Sequence, residues 1–436
     1  MPKVAFHTLG CRLNFSESSD LMRRFSASGY EIVPFEEAAD LYVINTCTVT
    51  AAAEKKCRQI IRSAHRLNPD AKIAVVGCFS ELRPEEVKAL AGVDFVLGTG
   101  NKHLLFDYIR KGKCGVGNDT AWQAEKEKFV ASYSTVGRTR SFFKVQDGCD
   151  NFCAYCAIPY ARGRSRSATV EETLQTARQI AALGIREIVL TGVNIGDFGR
   201  THGQSFYDLL KGLENIEVQR IRIGSVEPDL LTDRIIALVA DSQRLMPHFH
   251  IPLQAGNNEV LKDMGRHYDR AFYAGRVEAI RRRIPDAFIA CDLIAGFPTE
   301  TEARFEDAYR FLEDLDLSAL HVFSYSHRQE ARASRMETCY PSEAKAERSA
   351  RLHALSDRKK QAFYTRFDGK RAEVLWESDI QNGCMFGYTP NYLRVKAEYA
   401  AENVNEVSMV RLENPQKDTN KDWCLSSTPL QERAGC

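Results

Sequence analysis

Residues 141–156 read SFFKVQDGCDNFCAYC, a β-rich run followed at once by three cysteines in a CxxxCxxC spacing. The run is the first of six, which helical patterns separate; the others are IREIVLT, QRIRIGS, HFHIP, AFIACDLI and ALHVFSY. Such alternation predicts a barrel-like parallel sheet, incomplete because a full barrel has eight strands. Barrel active sites form at the carboxyl ends of the strands, where Cys149, Cys153 and Cys156 stand.

The sequence on either side of this region predicts two further domains. Residues 4–110 alternate short β-rich runs with amphipathic stretches, which is typical of a small α/β domain with a parallel sheet. Beyond a long charged helix, short β-like runs broken by Asn, Gly and Pro predict a small antiparallel β-barrel. We therefore expect an N-terminal domain (1–112), a linker (113–136), a partial (β/α)6 barrel (137–366) and a terminal β-barrel (367–432).

The composition is that of an ordinary globular protein, with 44% hydrophobic and 27% charged residues in a chain of 436. A net charge of +1 gives no attraction of the whole chain to nucleic acid. We find no signal-peptide pattern and no apolar run of about 18 residues, so we expect a cytoplasmic protein without membrane contact. Thiols stay reduced there, and 13 cysteines favour metal binding or catalysis over disulfides.

The clustered cysteines Cys149, Cys153 and Cys156 could wrap one inorganic cluster within a single loop. Ferredoxin motifs use a CxxCxxC spacing and recruit a fourth cysteine, which has no counterpart nearby here. Three thiolates on a [4Fe–4S] cluster leave one iron open, and the amine and carboxylate of S-adenosylmethionine can chelate that iron. The alternative is a zinc site that combines Cys153 and Cys156 with two distant ligands. The position after the first barrel strand favours the cluster.

A second group of cysteines lies in the N-terminal domain. Cys11 ends TLGC after the first predicted strand, Cys47 follows the second in NTC, and Cys78 follows the third in VGC. The carboxyl ends of parallel strands lie side by side, so these three distant residues can converge. We predict a second three-thiolate cluster; chance placement is the alternative, and the other cysteines are interpreted as small hydrophobic residues.

Seven motifs spread over nearly the whole chain resemble those of the radical S-adenosylmethionine methylthiotransferases: TLGCRLN, VINTCTVT, VVGC, GCDNFCAYCAIPYARGRSRS, LTGVNIGDFG, IPLQAGNNEVLKDMGRHY and DLIAGFPTETE. The resemblance implies that a cluster on Cys149, Cys153 and Cys156 receives an electron and cleaves S-adenosylmethionine to a radical that activates a C–H bond. It implies a sulfur-carrying cluster on Cys11, Cys47 and Cys78. It also implies a reducing electron donor such as flavodoxin or ferredoxin, a sulfur donor, and an RNA-binding TRAM-like terminal barrel.

The family has three substrate branches: tRNA with isopentenyladenosine, tRNA with threonylcarbamoyladenosine, and an aspartate of a ribosomal protein. HTLGCRLNFSES and INTCTVT most resemble the threonylcarbamoyladenosine branch. The resemblance therefore implies methylthiolation at carbon 2 of N(6)-threonylcarbamoyladenosine next to the anticodon of tRNA. The other two branches are alternatives within the family, and a non-catalytic, metal-containing RNA-binding protein is the alternative outside it.

Further cofactor-binding candidates follow from their position at the predicted barrel mouth. They are Tyr155, Gly192, Asn194, Ser225, Glu227 and Gln254. Glycine permits close approach of a cofactor to the backbone, and a buried glutamate can accept hydrogen bonds from a ribose. Alternatively, Gly192 shapes a turn and Glu227 pairs with a nearby arginine.

Basic and aromatic side chains supply candidates for tRNA contact. Six basic residues surround the first cysteine group: Arg138, Arg140, Lys144, Arg162, Arg164 and Arg166. Five more follow Cys47, either as an RNA contact or as a solvated helix face: Lys55, Lys56, Arg58, Arg62 and Arg66. In the terminal barrel the candidates are Tyr388, Tyr392, Arg394 and Lys396, with core packing as the alternative for the tyrosines.

Overall fold

The structure is a computed structural model that describes residues 1–111, 115–116, 128–135 and 139–429. It confirms the predicted α/β architecture, with a parallel-sheet domain at the N-terminus, a six-stranded partial barrel and a closed terminal barrel. In the described ranges, every helix is too short or too polar to cross a membrane.

The N-terminal domain is a six-stranded parallel sheet with the strand order β2-β1-β3-β4-β5-β6. Its strands are β1 (Lys3–Thr8), β2 (Glu31–Val33), β3 (Leu41–Thr46), β4 (Lys72–Gly77), β5 (Val93–Leu97) and β6 (Gly115–Val116). Its helices are α1 (Arg12–Ala27), α2 (Ala51–Leu67), α3 (Cys78–Leu82), α4 (Pro84–Lys88) and α5 (Leu105–Arg110). Every residue of β3 is buried, as in a central strand covered on both faces.

Two apolar cores, one on each face, hold this sheet between its helices. Tyr42 and Ile44 of β3 pack in one core with Ile61 of α2. Leu41 and Val43, which point the other way, pack with residues of α1 and α5 in the second core. Alternate side chains of a strand face opposite sides, so a continuous apolar run such as LYVI serves both cores.

The central domain contains the six predicted parallel strands and three short additional ones. The parallel strands are β8 (Arg140–Lys144), β11 (Glu187–Thr191), β12 (Arg220–Ile223), β13 (His248–His250), β14 (Phe288–Ala295) and β15 (Ala319–Ser324). The short strands are β7 (Ser132–Tyr133), β9 (Gln146–Asp147) and β10 (Arg166–Ser167). The helices are α6 (Ile158–Arg162), α7 (Val170–Ala182), α8 (Phe206–Leu213), α9 (Asp233–Asp241), α10 (Asn258–Met264), α11 (Arg270–Arg283) and α12 (Glu302–Asp314).

The six parallel strands form one curved sheet that stays open on one side. Strands β12, β11 and β8 pair in one half and β13, β14 and β15 in the other. Parallel bridges join the halves between Ile221 and Leu245 and between Ser225 and His250. In the described ranges, β8 and β15 do not pair with each other, so the expected incomplete barrel is confirmed.

Part of the predicted linker packs between the first two domains. β7 pairs antiparallel with β8, Ser132 contacts Ser16 of α1 at 3.0 Å between hydroxyl oxygens, and Arg23 of α1 lies over the ring of Tyr133 at 4.0 Å. The remaining linker residues lie outside the described ranges, apart from β6 and a few that flank β7.

Helix α13 (Ala344–Thr365) leads to the terminal barrel of β16 (Arg371–Gln381), β17 (Cys384–Tyr388), β18 (Arg394–Glu398), β19 (Val407–Lys417) and β20 (Trp423–Pro429). The barrel closes in the order β16-β17-β18-β20-β19. Four neighbouring pairs are antiparallel, as predicted, but β18 and β20 run parallel. The chain reverses its direction once between β18 and β19 and again between β19 and β20, so β18 and β20 point the same way. Phe363 and Tyr364 of α13 pack in the barrel core with Phe288 of β14, which fixes the barrel against the central domain.

Candidate active site

The first cysteine group lies in a tight loop between β9 and α6. Gly148 opens the loop at φ +71°, and a Cβ there would lie 1.9 Å from the carbonyl oxygen of Arg164, so only glycine fits. The N–H groups of Asn151 and Ile158 point at the sulfurs of Cys149 and Cys156, at 3.5 and 3.4 Å. Burial, followed by the neighbouring thiols, raises the pKa of Cys156 to about 12. The three sulfurs therefore share one partly buried loop.

Arg266 connects this loop to the carboxyl end of the third barrel strand. Its guanidinium donates to the sulfur of Cys153 at 3.2 Å and to the hydroxyl of Tyr155 at 3.3 Å. It also forms an ion pair with Glu227, and burial raises the pKa of that carboxyl to about 7 despite this pair. Arg266 thus places a permanent positive charge beside the first cysteine group.

The register of the N-terminal sheet brings the second cysteine group together. Thr46 pairs with Gly77, and Cys47 and Cys78 are the residues that follow them. A Cβ on Gly10 would lie 2.8 Å from the sulfur of Cys47, so the loop that ends in Cys11 lies against Cys47. Burial raises the pKa of Cys47 to about 12, and Cys78 and Cys11 add to the rise. The predicted convergence of these three residues is therefore present.

The spacing of the sulfurs shows whether three thiolates of one cysteine group could hold a single zinc ion. A zinc ion with bonds of about 2.3 Å brings its thiolate sulfurs to within about 3.8 Å of one another. Among the described residues, neither cysteine group belongs to a set of three potential ligand atoms within 4.8 Å. The thiolates of a [4Fe–4S] cluster bind different iron atoms and stand further apart, so the donor sets suit clusters.

A buried ionic network links the two cysteine groups. Arg162, the last residue of α6, donates to Asp147 at 2.9 Å and to both carboxylate oxygens of Glu17 at 3.3 Å. The network is completed by Lys102, Lys144 and Arg166. Burial alone would raise the pKa of Glu17, but Arg162, Lys102 and Lys144 lower it. Four cations face two carboxylates, so the network carries excess positive charge that can offset anionic clusters.

A cavity of about 240 Å³ lies between the two domains, beside Cys156. Val49 and Thr50 of the N-terminal domain form one wall, and Tyr155, Gln254 and residues at the end of β15 form others. Around it, the N–H of Ala51 donates to Ser326 at 3.0 Å and Arg328 pairs with Glu54 at 2.6 Å. Both cysteine-bearing domains thus enclose one space.

Comparison with known proteins agrees with this geometry. Residues 3–98 match a family described as uncharacterized protein family UPF0004, and residues 143–312 match the radical SAM superfamily. The threonylcarbamoyladenosine tRNA methylthiotransferase MtaB of Bacillus subtilis is 39% identical over 94% of each chain. The chain belongs to the radical S-adenosylmethionine methylthiotransferases. This methylthiotransferase is an enzyme that uses S-adenosylmethionine and [4Fe–4S] clusters.

Two further comparisons place the methylthiotransferase within its family and fold. The tRNA-2-methylthio-N(6)-dimethylallyladenosine synthase of Bacillus subtilis is 30% identical, over 99% of this chain and 86% of the relative. The radical S-adenosylmethionine methyltransferase TsrM from Kitasatospora setae, solved with tryptophan and a cofactor analogue, superposes with a TM-score of 0.55. That match is 15% identical and covers 74% of this chain and 73% of TsrM, so it shows the fold alone.

The candidate cofactor residues lie at the carboxyl ends of the barrel strands, in different environments. A Cβ on Gly192 would lie 2.5 Å from Ile195, so packing requires glycine at that position. Asn194 is buried, and in the described structure its side-chain oxygen has no hydrogen-bond partner. A buried acceptor of this kind is one that a bound molecule can satisfy. Tyr155 and Gln254 line the cavity beside Cys156, and Gln254 has a φ of +74°.

Ser225, a predicted cofactor residue, contacts a group of three polar side chains that were not predicted from the sequence. Its hydroxyl lies 2.6 Å from Nδ1 of His250, and Nε2 of His250 lies 2.7 Å from Asp292. His321 completes the group, 3.3 Å from Asp292. Arg266 was also missed. His250, Asp292 and His321 lie on barrel strands, whereas Arg266 lies between α10 and α11. The sequence signals for these residues were the polar side chains in HIP, CDLI, LHVF and GRHY.

The prediction that the basic residues around the first cysteine group face tRNA is wrong for four of them. Arg140, Lys144, Arg162 and Arg166 point inward and form ion pairs with buried or partly buried carboxylates. Arg164 is exposed, and Arg138 lies outside the described ranges. Four of the basic residues of α2 are exposed, whereas Arg58 pairs with Glu86. The charge near the clusters is therefore mainly internal.

The aromatic candidates of the terminal barrel line a second cavity of about 450 Å³. The rings of Tyr388 and Tyr392 stack with centroids 4.7 Å apart, and Arg140 lies over Tyr388 at 4.5 Å. Arg394 lines the same cavity and pairs with Asp418. His250 and His321 form its opposite wall, so this cavity reaches from the terminal barrel to the central domain.

Proposed function

We propose that this methylthiotransferase attaches a methylthio group to carbon 2 of N(6)-threonylcarbamoyladenosine next to the anticodon in tRNA. The observation that carries the proposal is the pair of cysteine groups whose two domains enclose one cavity. The branch is supported by the difference between the two Bacillus subtilis relatives, 39% identity to the MtaB protein against 30% to the dimethylallyladenosine synthase.

In the proposal, Cys149, Cys153 and Cys156 hold one [4Fe–4S] cluster, and Cys11, Cys47 and Cys78 hold the other. When bound, the first cluster with S-adenosylmethionine supplies the radical chemistry, and the second supplies the sulfur site. The chain itself holds the thiolates at fixed places, and Arg266 fixes the Cys153 sulfur and the Tyr155 hydroxyl. The apolar side chains of Val49, Ile294 and Phe323 line the cavity, and Val49 and Phe323 are half exposed.

We also propose roles for the candidate cofactor residues and for external partners. Glu227 and Asn194 offer acceptors to the polar groups of S-adenosylmethionine, and Gln254 lines the cavity beside Cys156. Tyr388 and Tyr392 form an aromatic wall on the path of the tRNA. The enzyme takes electrons from a donor such as flavodoxin or ferredoxin and sulfur from a separate donor, and it works in the cytoplasm, where its substrate is.

Mass spectrometry of tRNA nucleosides tests the proposal. Cells that lack the gene should lose 2-methylthio-N(6)-threonylcarbamoyladenosine, and the wild-type gene should restore it. A gene with Cys149→Ala should not restore it, whereas Cys339→Ala, which changes an exposed cysteine, should. If the isopentenyl product changes instead, the substrate assignment is wrong. If no methylthionucleoside changes, the ribosomal protein becomes the substrate to examine.

A further inference from the structure

We propose that His250, Asp292 and His321 form a binding site for one divalent metal ion, separate from the two iron–sulfur clusters. In the described ranges, this is the only set of three His, Cys, Asp or Glu ligand atoms that lie within 4.8 Å of one another. None of the three residues belongs to a cysteine group or was assigned a role above. The inference does not depend on the identity of the substrate.

The distances between the three ligand atoms are close to those around a metal ion. Nε2 of His250 lies 2.7 Å from Oδ1 of Asp292, and Nδ1 of His321 lies 3.3 Å from each of these atoms. A first-row metal with bonds of about 2.0–2.2 Å holds neighbouring ligands about 2.8–3.6 Å apart. The two distances to His321 fall in this range, and the distance between His250 and Asp292 is slightly shorter. Small changes in side-chain torsion would bring all three atoms to bonding distance of one point.

The backbone makes this arrangement rigid. The three residues lie on the adjacent strands β13, β14 and β15, and Asp292 and His321 are direct partners in the register of the last two. Ser225 lies 2.6 Å from the other ring nitrogen of His250. An outer hydrogen bond of this kind fixes the orientation and tautomer of a metal-binding histidine.

Charge and exposure also favour a cation. Oδ1 of Asp292 lies 2.7 Å from the ring of His250 and 3.3 Å from the ring of His321. Within the described chain, the side-chain carboxylate of Asp292 contacts these two imidazoles and forms no ion pair with lysine or arginine. The exposed fractions of 19% for the side chains of His250 and Asp292 and 42% for that of His321 leave room for further ligands.

The chemistry of the donor set indicates the class of ion. Two imidazoles and one carboxylate with open positions are typical of Fe²⁺, Zn²⁺ and Mn²⁺ sites. Asp292 lines the cavity beside Cys156, and both histidines line the cavity that reaches the terminal barrel. An ion bound there would offer open positions to oxygen ligands from a molecule in either cavity.

Manganese titration of the holoenzyme tests the site. With both clusters oxidised, the clusters give no signal in electron paramagnetic resonance, and the signal that remains is that of free Mn²⁺. The decrease of this signal on addition of protein should correspond to one bound ion per chain. Asp292→Asn and His321→Ala should each weaken binding at least about tenfold, and Ser225→Ala by about 10- to 100-fold. His353→Ala is the matched control, since His353 lines a neighbouring cavity with His321 and should bind Mn²⁺ like the wild type.

Two measurements keep the result interpretable. Iron and sulfide content should be equal in all variants, which shows that both clusters are retained. Because the side chain of His321 is well exposed, His321→Ala should fold even if Asp292→Asn does not. Zn²⁺ should displace the bound Mn²⁺ in competition. Equal Mn²⁺ binding by the wild type and His321→Ala would overturn the proposal, as would the absence of binding. In either case the three residues would form a hydrogen-bonded network alone.

Discussion

Arg162 donates to the side-chain oxygen of Asn14 at 2.8 Å, and so connects the loop of the first cysteine group with the loops of the second. The amide nitrogen of Asn14 donates to the carbonyl oxygens of Leu9 and Thr46, which precede Cys11 and Cys47 by two residues and one. One guanidinium and one amide therefore set the relative position of the two cluster sites.

Replacing Arg162 with glutamine should destabilise the protein and reduce its iron content. The change leaves the buried carboxylates of Glu17 and Asp147 short of a partner, which costs about 3–5 kcal/mol of unfolding free energy. Denaturant unfolding and iron analysis measure the two effects. Arg164→Gln, at a side chain that is 77% exposed, should change the free energy by no more than about 0.5 kcal/mol. Equal stability of the two variants would show that the buried network does not hold the domains together.

Gly10→Ala should remove the second cluster and spare the first. Gly10 has a φ of +98°, and the added Cβ would lie 2.7 Å from Cβ of Cys47. We expect loss of roughly half of the iron, because one of two clusters is affected. Gly29→Ala is a matched control with a φ of +86° and no atom within 4 Å of the added Cβ. It should cost only about 1–2 kcal/mol of strain and keep its full iron content.

The two cysteine groups should differ in their effect on the cofactor. Cys153→Ala should abolish the cleavage of S-adenosylmethionine to 5′-deoxyadenosine. Cys47→Ala should leave part of that cleavage but stop formation of the methylthio product, because its cluster serves as the sulfur site. Chromatography of both products from one reaction measures the separation. Equal loss of cleavage in the two variants would contradict the assignment of separate roles.

Cluster binding should weaken as the pH falls. Burial raises the pKa of Cys47, Cys149 and Cys156 to about 12, so these thiols are protonated when no metal is bound. Iron binds the thiolate, and each cluster therefore displaces protons when it forms. The cluster absorbance retained at equilibrium with a chelator should rise between about pH 6 and about pH 9. A flat profile would mean that the thiols were already ionised.

The raised pKa values of the Cys47 and Cys149 thiols should also slow their alkylation in the metal-free protein. Thiol-alkylating reagents act on the thiolate, so Cys47 and Cys149 should react slowly near neutral pH. Peptide mass spectrometry after timed alkylation measures each site, with the exposed Cys339 as an internal reference. Alkylation of Cys47 as fast as that of Cys339 would contradict the buried position of the thiol.

The amino-acid sequence by itself determined the alternation of strands and helices and both cysteine groups. Cys149, Cys153 and Cys156 are local neighbours, and Cys11, Cys47 and Cys78 follow buried strands whose carboxyl ends must lie side by side in a parallel sheet. These inferences need only the periodicity of strands and helices and the geometry of one sheet, which short stretches of sequence contain.

Only the tertiary structure decided which charged groups meet. Arg162 and Glu17 are 145 positions apart, and Arg328 and Glu54 are 274 apart. The sequence showed a basic stretch beside the cysteines but not that domain packing turns Arg140, Lys144 and Arg162 inward. The group of His250, Asp292 and His321 likewise forms because three adjacent strands each place one polar residue near the same point of the sheet. Long-range packing sets these contacts, and no local pattern of residues encodes them.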